Sequence, residues 1–102
     1  MGLVSAAHPA DLSEAERAKV IRTFMPDGRI AQMPARWAKR YVLLDVVAQA
    51  FEPGIKYPER AVNAILRSYY DDWVTLRRYL VDDKFLDRER GVYWRIGGHV
   101  DV

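Results

Sequence analysis

The sequence contains no cysteine. That excludes disulfides, thiolate zinc sites, iron–sulfur clusters and thiol catalysis together, and it suits a reducing compartment such as the cytoplasm. Histidine is almost as scarce: His8 and His99 lie near the two ends, and neither belongs to a metal-ligand spacing. The glycines form no phosphate-cradling loop, and no serine has a base beside it in sequence. No apolar run approaches the ~18 residues of a membrane span. Internal repeats and low-complexity stretches are missing too. The acidic pairs Asp71-Asp72 and Asp82-Asp83 could hold a hard cation, but they cap and close a helix more simply. The expectation is a protein that is not an enzyme, with no cofactor, no metal and no evident small-molecule substrate.

Excess charge is scarce as well. Sixteen Lys and Arg against fourteen Asp and Glu leave a net charge of +2, so any nucleic-acid footprint must come from clustering and not from the total. At 102 residues, half of them hydrophobic and 29% charged, the chain reads as one globular domain with a single core. Met1–Ala10 is apolar but lacks the basic opening of a signal peptide, and Ala6 stands where a myristoylation signal requires Ser or Thr. Residues 1–10 are expected to be a flexible end, 11–97 the domain, and 98–102 a flexible C-terminus.

Periodicity and punctuation divide the chain into four helices and a hairpin, with short connecting pieces between them. A helix is predicted over Leu12–Met25, capped by Asp11 or Ser13, with Glu14 and Glu16 in its first turn and Pro26 ending it. Pro26-Asp27-Gly28 reads as a turn and Arg29–Met33 as a short extended piece. A second helix is predicted over Pro34–Phe51. There Asp45, Gln49 and Glu52 share one narrow polar arc, and Leu43, Leu44, Val46, Val47, Ala50 and Phe51 cover most of the rest, so this helix is mostly buried. Pro53-Gly54 stops it. Ile55-Lys56-Tyr57 is a strand candidate. A third helix, Glu59–Tyr69, carries Val62, Ile65, Leu66 and Tyr69 on one stripe. Asp71 or Asp72 then caps a fourth helix running to Asp83, with Trp73, Leu76, Tyr79 and Leu80 inward. Phe85–Arg88 and Val92–Ile96 flank Glu89-Arg90-Gly91 as a hairpin.

The third and fourth helices are separated by about two residues in this reading, as in a helix-turn-helix, and a hairpin follows. The fold class is α+β, mainly helical and winged-helix-like, with an extra N-terminal helix.

Three stretches carry a family resemblance. They are Met25-Pro26-Asp27-Gly28-Arg29-Ile30 with Pro34 beyond; Phe51-Glu52-Pro53-Gly54 with Tyr57, Glu59 and Val62-Asn63; and Asp72 with Leu76-Arg77-Arg78-Tyr79-Leu80-Val81-Asp82, Phe85-Leu86-Asp87-Arg88 and Tyr93-Trp94-Arg95. Together, from about Phe24 to Ile96, they resemble the bacterial domain of unknown function number 2087. The resemblance implies a bacterial protein from a family whose domains occur alone or behind a DNA-binding helix-turn-helix in regulators. It implies no catalytic residue. The sequence departs from the family at Pro58, where a capping Ser or Thr is expected, at Tyr70, where a His is common, and at Asp83-Lys84, which lacks a helix-ending Gly.

The candidate contact residues follow from this topology. The fourth helix would be the recognition helix, with Thr75, Arg78 and Asp82 on its outer arc and Val74 and Arg77 flanking them; Arg77 and Arg78 suit phosphate or a guanine edge. Against this, residues 71–90 hold six acids and five bases, and these charges favour a solvated face with Arg78 paired to Asp82. Arg36, Lys39 and Arg40 form a basic collar on the first turns of the second helix, where cations oppose the dipole by about 0.3–1 kcal/mol each. With Arg29 they could hold phosphate or an acidic partner, or pair internally with Asp71, Asp72, Asp82 or Asp83. Arg88 and Arg90 at the hairpin resemble a wing. Trp37, Trp73, Trp94, Tyr69, Tyr79 and Tyr93 are expected mainly in the core. The expected function is a transcription-associated module with DNA as a candidate partner. The alternative is a protein-interaction or homodimerisation module, with the amphipathic first helix as its interface.

Overall fold

The computed structural model describes residues 11–99. The flexible end expected for residues 1–10 lies outside them, as do residues 100–102. Four helices, α1 (Glu14–Phe24), α2 (Trp37–Ala48), α3 (Glu59–Arg67) and α4 (Trp73–Asp82), combine with strands β1 (Lys56–Pro58), β2 (Leu86–Glu89) and β3 (Val92–Arg95). The strands form one antiparallel sheet in the order β1-β3-β2, with Tyr93 of β3 facing Tyr57 on one side and Arg88 on the other. This is the winged-helix-like α+β arrangement, with α1 added in front of it.

Local chemistry sets the boundaries. Ser13 caps α1 through a complete capping box: its Oγ accepts from the Glu16 amide at 3.1 Å, and Glu16 Oε1 accepts from the Ser13 amide at 2.8 Å. Both donors would otherwise be orphans of the first turn. Asp72 caps α4 by accepting from the Thr75 amide at 3.2 Å and its hydroxyl at 2.7 Å. The departure at Pro58 is compensated from elsewhere. Pro58 offers no side-chain cap to α3, and the Glu59 amide donates instead to the Gly91 carbonyl at 2.9 Å. At the hairpin, Arg90 and Gly91 both take positive φ (54° and 77°), as a two-residue type I′ turn requires.

Three boundaries differ from the sequence reading. Pro34 does not open α2; it is buried ahead of the helix, and Arg36 occupies the N-cap position in extended geometry. At the other end α2 stops at Ala48, and the amides of Ala50 and Phe51 tighten the exit by bonding three residues back, to Val47 and Ala48. The α3–α4 link spans residues 68–72, longer than expected, because Ser68 Oγ donates back to the Ile65 carbonyl at 2.6 Å and α3 ends early.

The core runs through α2. Val42, Leu43, Leu44, Val47 and Ala48 are fully buried, and around them pack Val62 and Leu66 of α3, Leu76 and Leu80 of α4, Phe85, Leu86 and Tyr93 from the hairpin, and Phe51. Arg29–Met33 joins no sheet. The Ile30 amide donates to the Tyr69 carbonyl at 2.7 Å and the buried Ile30 side chain closes the core beside Met25. Helix α1 lies on α2 with Val20 buried and Ile21, Phe24 and Leu12 packed against the core. Its apolar face is turned mainly toward α2, with Leu12, Ile21 and Phe24 only partly covered. The packed chain also extends past the expected limit at residue 97, because the His99 amide donates to Asp45 Oδ1 at 2.7 Å. No helix among the described residues is long and apolar enough to cross a membrane.

Candidate interaction surfaces

The recognition-helix candidates do not act as a set. Arg77 turns inward to the junction of α3, α4 and β3. Its Nη1 donates to Asn63 Oδ1 at 2.5 Å and lies 3.8 Å from Glu59 Oε2, while the guanidinium sits over the Trp73 and Tyr93 rings. The buried Tyr93 completes this junction by donating its hydroxyl to Glu59 Oε1 at 2.9 Å. Thr75 is held by Asp72. Arg78 remains exposed, and no ion pair with Asp82 forms among the described residues. Arg77, Arg78 and Arg88 line one hollow of about 200 Å³ with Val74, Val81 and Asp82, so α4 and β2 do bring three cations together, although Arg77 is already engaged on its inner side. The Tyr93 hydroxyl beside Arg88 raises that guanidinium's pKa further, so its charge is fixed. Arg90 is exposed at the hairpin tip, apart from this hollow's lining.

The collar divides in the same way. Arg29 donates to the Arg67 carbonyl at 2.7 Å and pairs with Asp71 at 2.5 Å. Arg40 lies over the Tyr79 ring at 4.4 Å and donates to the Ala35 carbonyl at 3.3 Å. Arg36 and Lys39 stay exposed. Together with Lys19 they edge a groove of about 440 Å³ between α1 and α2, floored by Leu12, Val20, Phe24 and Ala38. A second hollow of about 310 Å³ shares Phe24, Arg36 and Lys39 with it and continues over Met33, Pro34 and Ala35. Lys39 Nζ stands 5.8 Å from the centre of the Phe24 ring.

Sequence reasoning missed one polar centre. Asp45 is buried inside the otherwise apolar α2, with 5% of its surface exposed. Its Oδ2 pairs with Arg17 of α1 at 2.9 Å, and its Oδ1 accepts from Gln49 Nε2 at 3.1 Å and from the His99 amide. Arg95 ties the same region together, donating to the carbonyls of Gly97, Phe51 and His99. Burial, with Asp45 and Asp83 nearby, pushes the Tyr41 hydroxyl's pKa up. The signal in the sequence was the narrow polar arc of Asp45, Gln49 and Glu52 on an otherwise apolar helix. Among the described residues, no cluster of three His, Cys, Asp or Glu could hold a metal ion.

Of the aromatics, Tyr93 is fully buried; Trp73, Trp94, Tyr69 and Tyr79 are half-buried; Trp37 is exposed at 43% and meets Tyr41 edge-on.

A family model described as an uncharacterized protein conserved in bacteria, the domain of unknown function 2087, matches residues 29–95. The chain belongs to this family. The matched stretch begins after α1 and covers α2 through β3, so the domain is the winged-helix-like unit and α1 is added to it. One wall of the α1–α2 groove is thus family domain and the other is not. Comparison with curated proteins and with solved structures finds no significant match.

Proposed function

We propose that this domain is a non-catalytic, transcription-associated interaction module of the cytoplasm that does not read DNA sequence by itself. The observation that carries the reading is the fate of Arg77. On a recognition helix it would face a groove of DNA; here it is bound to Asn63, set beside Glu59 and covered by two aromatic rings. Withdrawing it would leave Asn63 Oδ1 and the Glu59 carboxylate short of a partner, a penalty of about 1–3 kcal/mol that DNA contact would have to offset. The outer face of α4 is then left with Arg78 against Asp82, too little charge to anchor a duplex.

A second reading rests on the hollow that Arg78 and Arg88 share with one side of Arg77, with Arg90 nearby in sequence: weak, sequence-independent contact with phosphate. Fluorescence anisotropy of a labelled random-sequence duplex separates the two. The expected result is no binding at physiological salt. Micromolar binding that falls steeply with salt and disappears in Arg78→Ala/Arg88→Ala would replace the interaction reading with the phosphate reading.

A further inference from the structure

We propose that the groove between α1 and α2 is a docking site for an acidic amphipathic helix of another protein. This deepens the interaction-module reading and rests on it.

The groove combines an apolar floor with a predominantly cationic rim. Leu12, Val20, Phe24 and Ala38 supply the floor, and Lys19, Arg36 and Lys39 supply the rim. The one acid in the lining, Glu16, is held in the capping box: its carboxylate accepts the Ser13 amide, and its pKa is lowered by that bond and by the Ser13 hydroxyl. It stays ionised, and the three cations outnumber it, so the rim is net positive. Neither Lys19, Arg36 nor Lys39 has an ion-pair partner among the described residues, whereas Arg17, Arg29 and Arg77 all do. The field at this end of α2 is positive for a further reason. No side chain caps the helix and its first turn holds no acid, so the positive end of the dipole adds to the three cations.

An occupant must match both features. A phosphodiester backbone presents charge but no apolar face, and would leave Phe24 and Val20 uncovered. A second copy of this chain would bring its own cationic rim against this one in a symmetric pairing. A helix with apolar residues at i, i+3, i+4 and i+7 and acids on its flanks satisfies both, laying its apolar face along the floor while the acids meet Lys19 and Lys39. The continuation of the groove over Met33 and Pro34 extends the track past Phe24.

The test titrates the full chain with a labelled helical peptide that has leucines at this spacing and glutamates elsewhere. Its twin carries lysine for every glutamate, and a duplex DNA is run in parallel. Amide shifts by NMR locate the contact. The expected outcome is that the acidic peptide binds, moving amides of residues 12–24 and 32–39, and that the lysine twin does not. The exposed double variant Lys19→Glu/Lys39→Glu should weaken binding about tenfold or more. Unchanged thermal melting of that variant assigns the loss to the rim and not to the fold. Equal binding of both peptides would show a sticky floor without charge selection and overturn the proposal, as would shifts at these amides from DNA alone. No shift from the acidic peptide, with the duplex titration also silent, would overturn the groove assignment and leave the interaction module standing on another face. Duplex binding lost in Arg78→Ala/Arg88→Ala would remove that broader reading itself.

Discussion

Lys84 holds a left-handed conformation, φ 66°, directly after α4 ends. That region costs an L-residue about 1–2 kcal/mol, and glycine avoids the cost at the expense of about 0.5–1 kcal/mol of chain entropy. Lys84→Gly should therefore stabilise the protein by roughly 0.5–1 kcal/mol, read as a higher urea midpoint with unchanged slope. The missing helix-ending glycine was visible in the sequence, but the strain was not, since another turn type could have absorbed the substitution. Arg77 shows the opposite limit. The helical wheel places it beside Arg78 on the outer flank of α4, and only the arrival of Asn63 from α3 and Tyr93 from β3 turns it into an internal strut. Arg77→Ala should cost about 1–3 kcal/mol in chemical denaturation, nearly independent of salt. Arg77→Lys should recover little of it, because a lysine has no planar fork to lie on two rings while bonding Asn63.

Among the elements, the capped helix ends were the most legible and the interfaces between helices the least. Short polar side chains before a helical period announce a cap, and the structure takes Ser13 over Asp11 and Asp72 over Asp71. The Asp72 cap carries a pH signature. The Thr75 hydroxyl and amide lower the Asp72 pKa below the ordinary carboxylate value. A folded-state pKa below the unfolded one means stability that is present above the unfolded value and lost as pH falls through the folded one. The melting difference between the native chain and Asp72→Ala should thus be open at neutral pH and close in acid. Pro34 misled because proline suits a helix start as well as a buried lead-in, and only the packing decides. The Asp45 centre was hidden for a related reason. Beside the local donor Gln49 at the end of α2, its donors come from α1 and from residue 99, partners that no local pattern connects. Arg17→Ala removes one of three donors from a nearly buried carboxylate and should cost about 1–3 kcal/mol. Water reaches Arg17, 27% exposed, which keeps the loss below that of a fully buried pair. Arg17→Ala in an Asp45→Asn background should cost less than in the native chain, and that double-mutant cycle measures the tie between α1 and the family domain.

At the scale of the whole molecule, topology was readable and the use of charge was not. The order of periods, caps and turns leaves few ways to bury α2, and the winged-helix-like arrangement is the one that also pairs β1 with the hairpin. Whether a given arginine is spent inside or left outside depends on neighbours far away in sequence, so nine candidate contacts written along the chain reduce to smaller groups once folded. Arg29, Arg40, Arg77 and Thr75 hold internal contacts; Arg78 and Arg88 share a hollow that Arg77 also borders, Arg90 tips the hairpin, and Arg36 and Lys39 edge the α1–α2 groove. The core itself follows the hydrophobic pattern closely enough to predict from. Leu44 and Leu80 are both fully buried, on α2 and α4, while Val74 on the outer face of α4 is 49% exposed. Truncating either leucine to alanine removes its transfer free energy and leaves a cavity that the surrounding side chains fill only in part, about 2–5 kcal/mol in each case. Val74→Ala loses neither and should stay within about 0.5 kcal/mol. Because one continuous core cluster contains both leucines, each loss should appear as a shift of a single cooperative transition seen alike by fluorescence and circular dichroism. A Leu44→Ala chain that lost one probe before the other would mean that α2 packs on two cores instead of one.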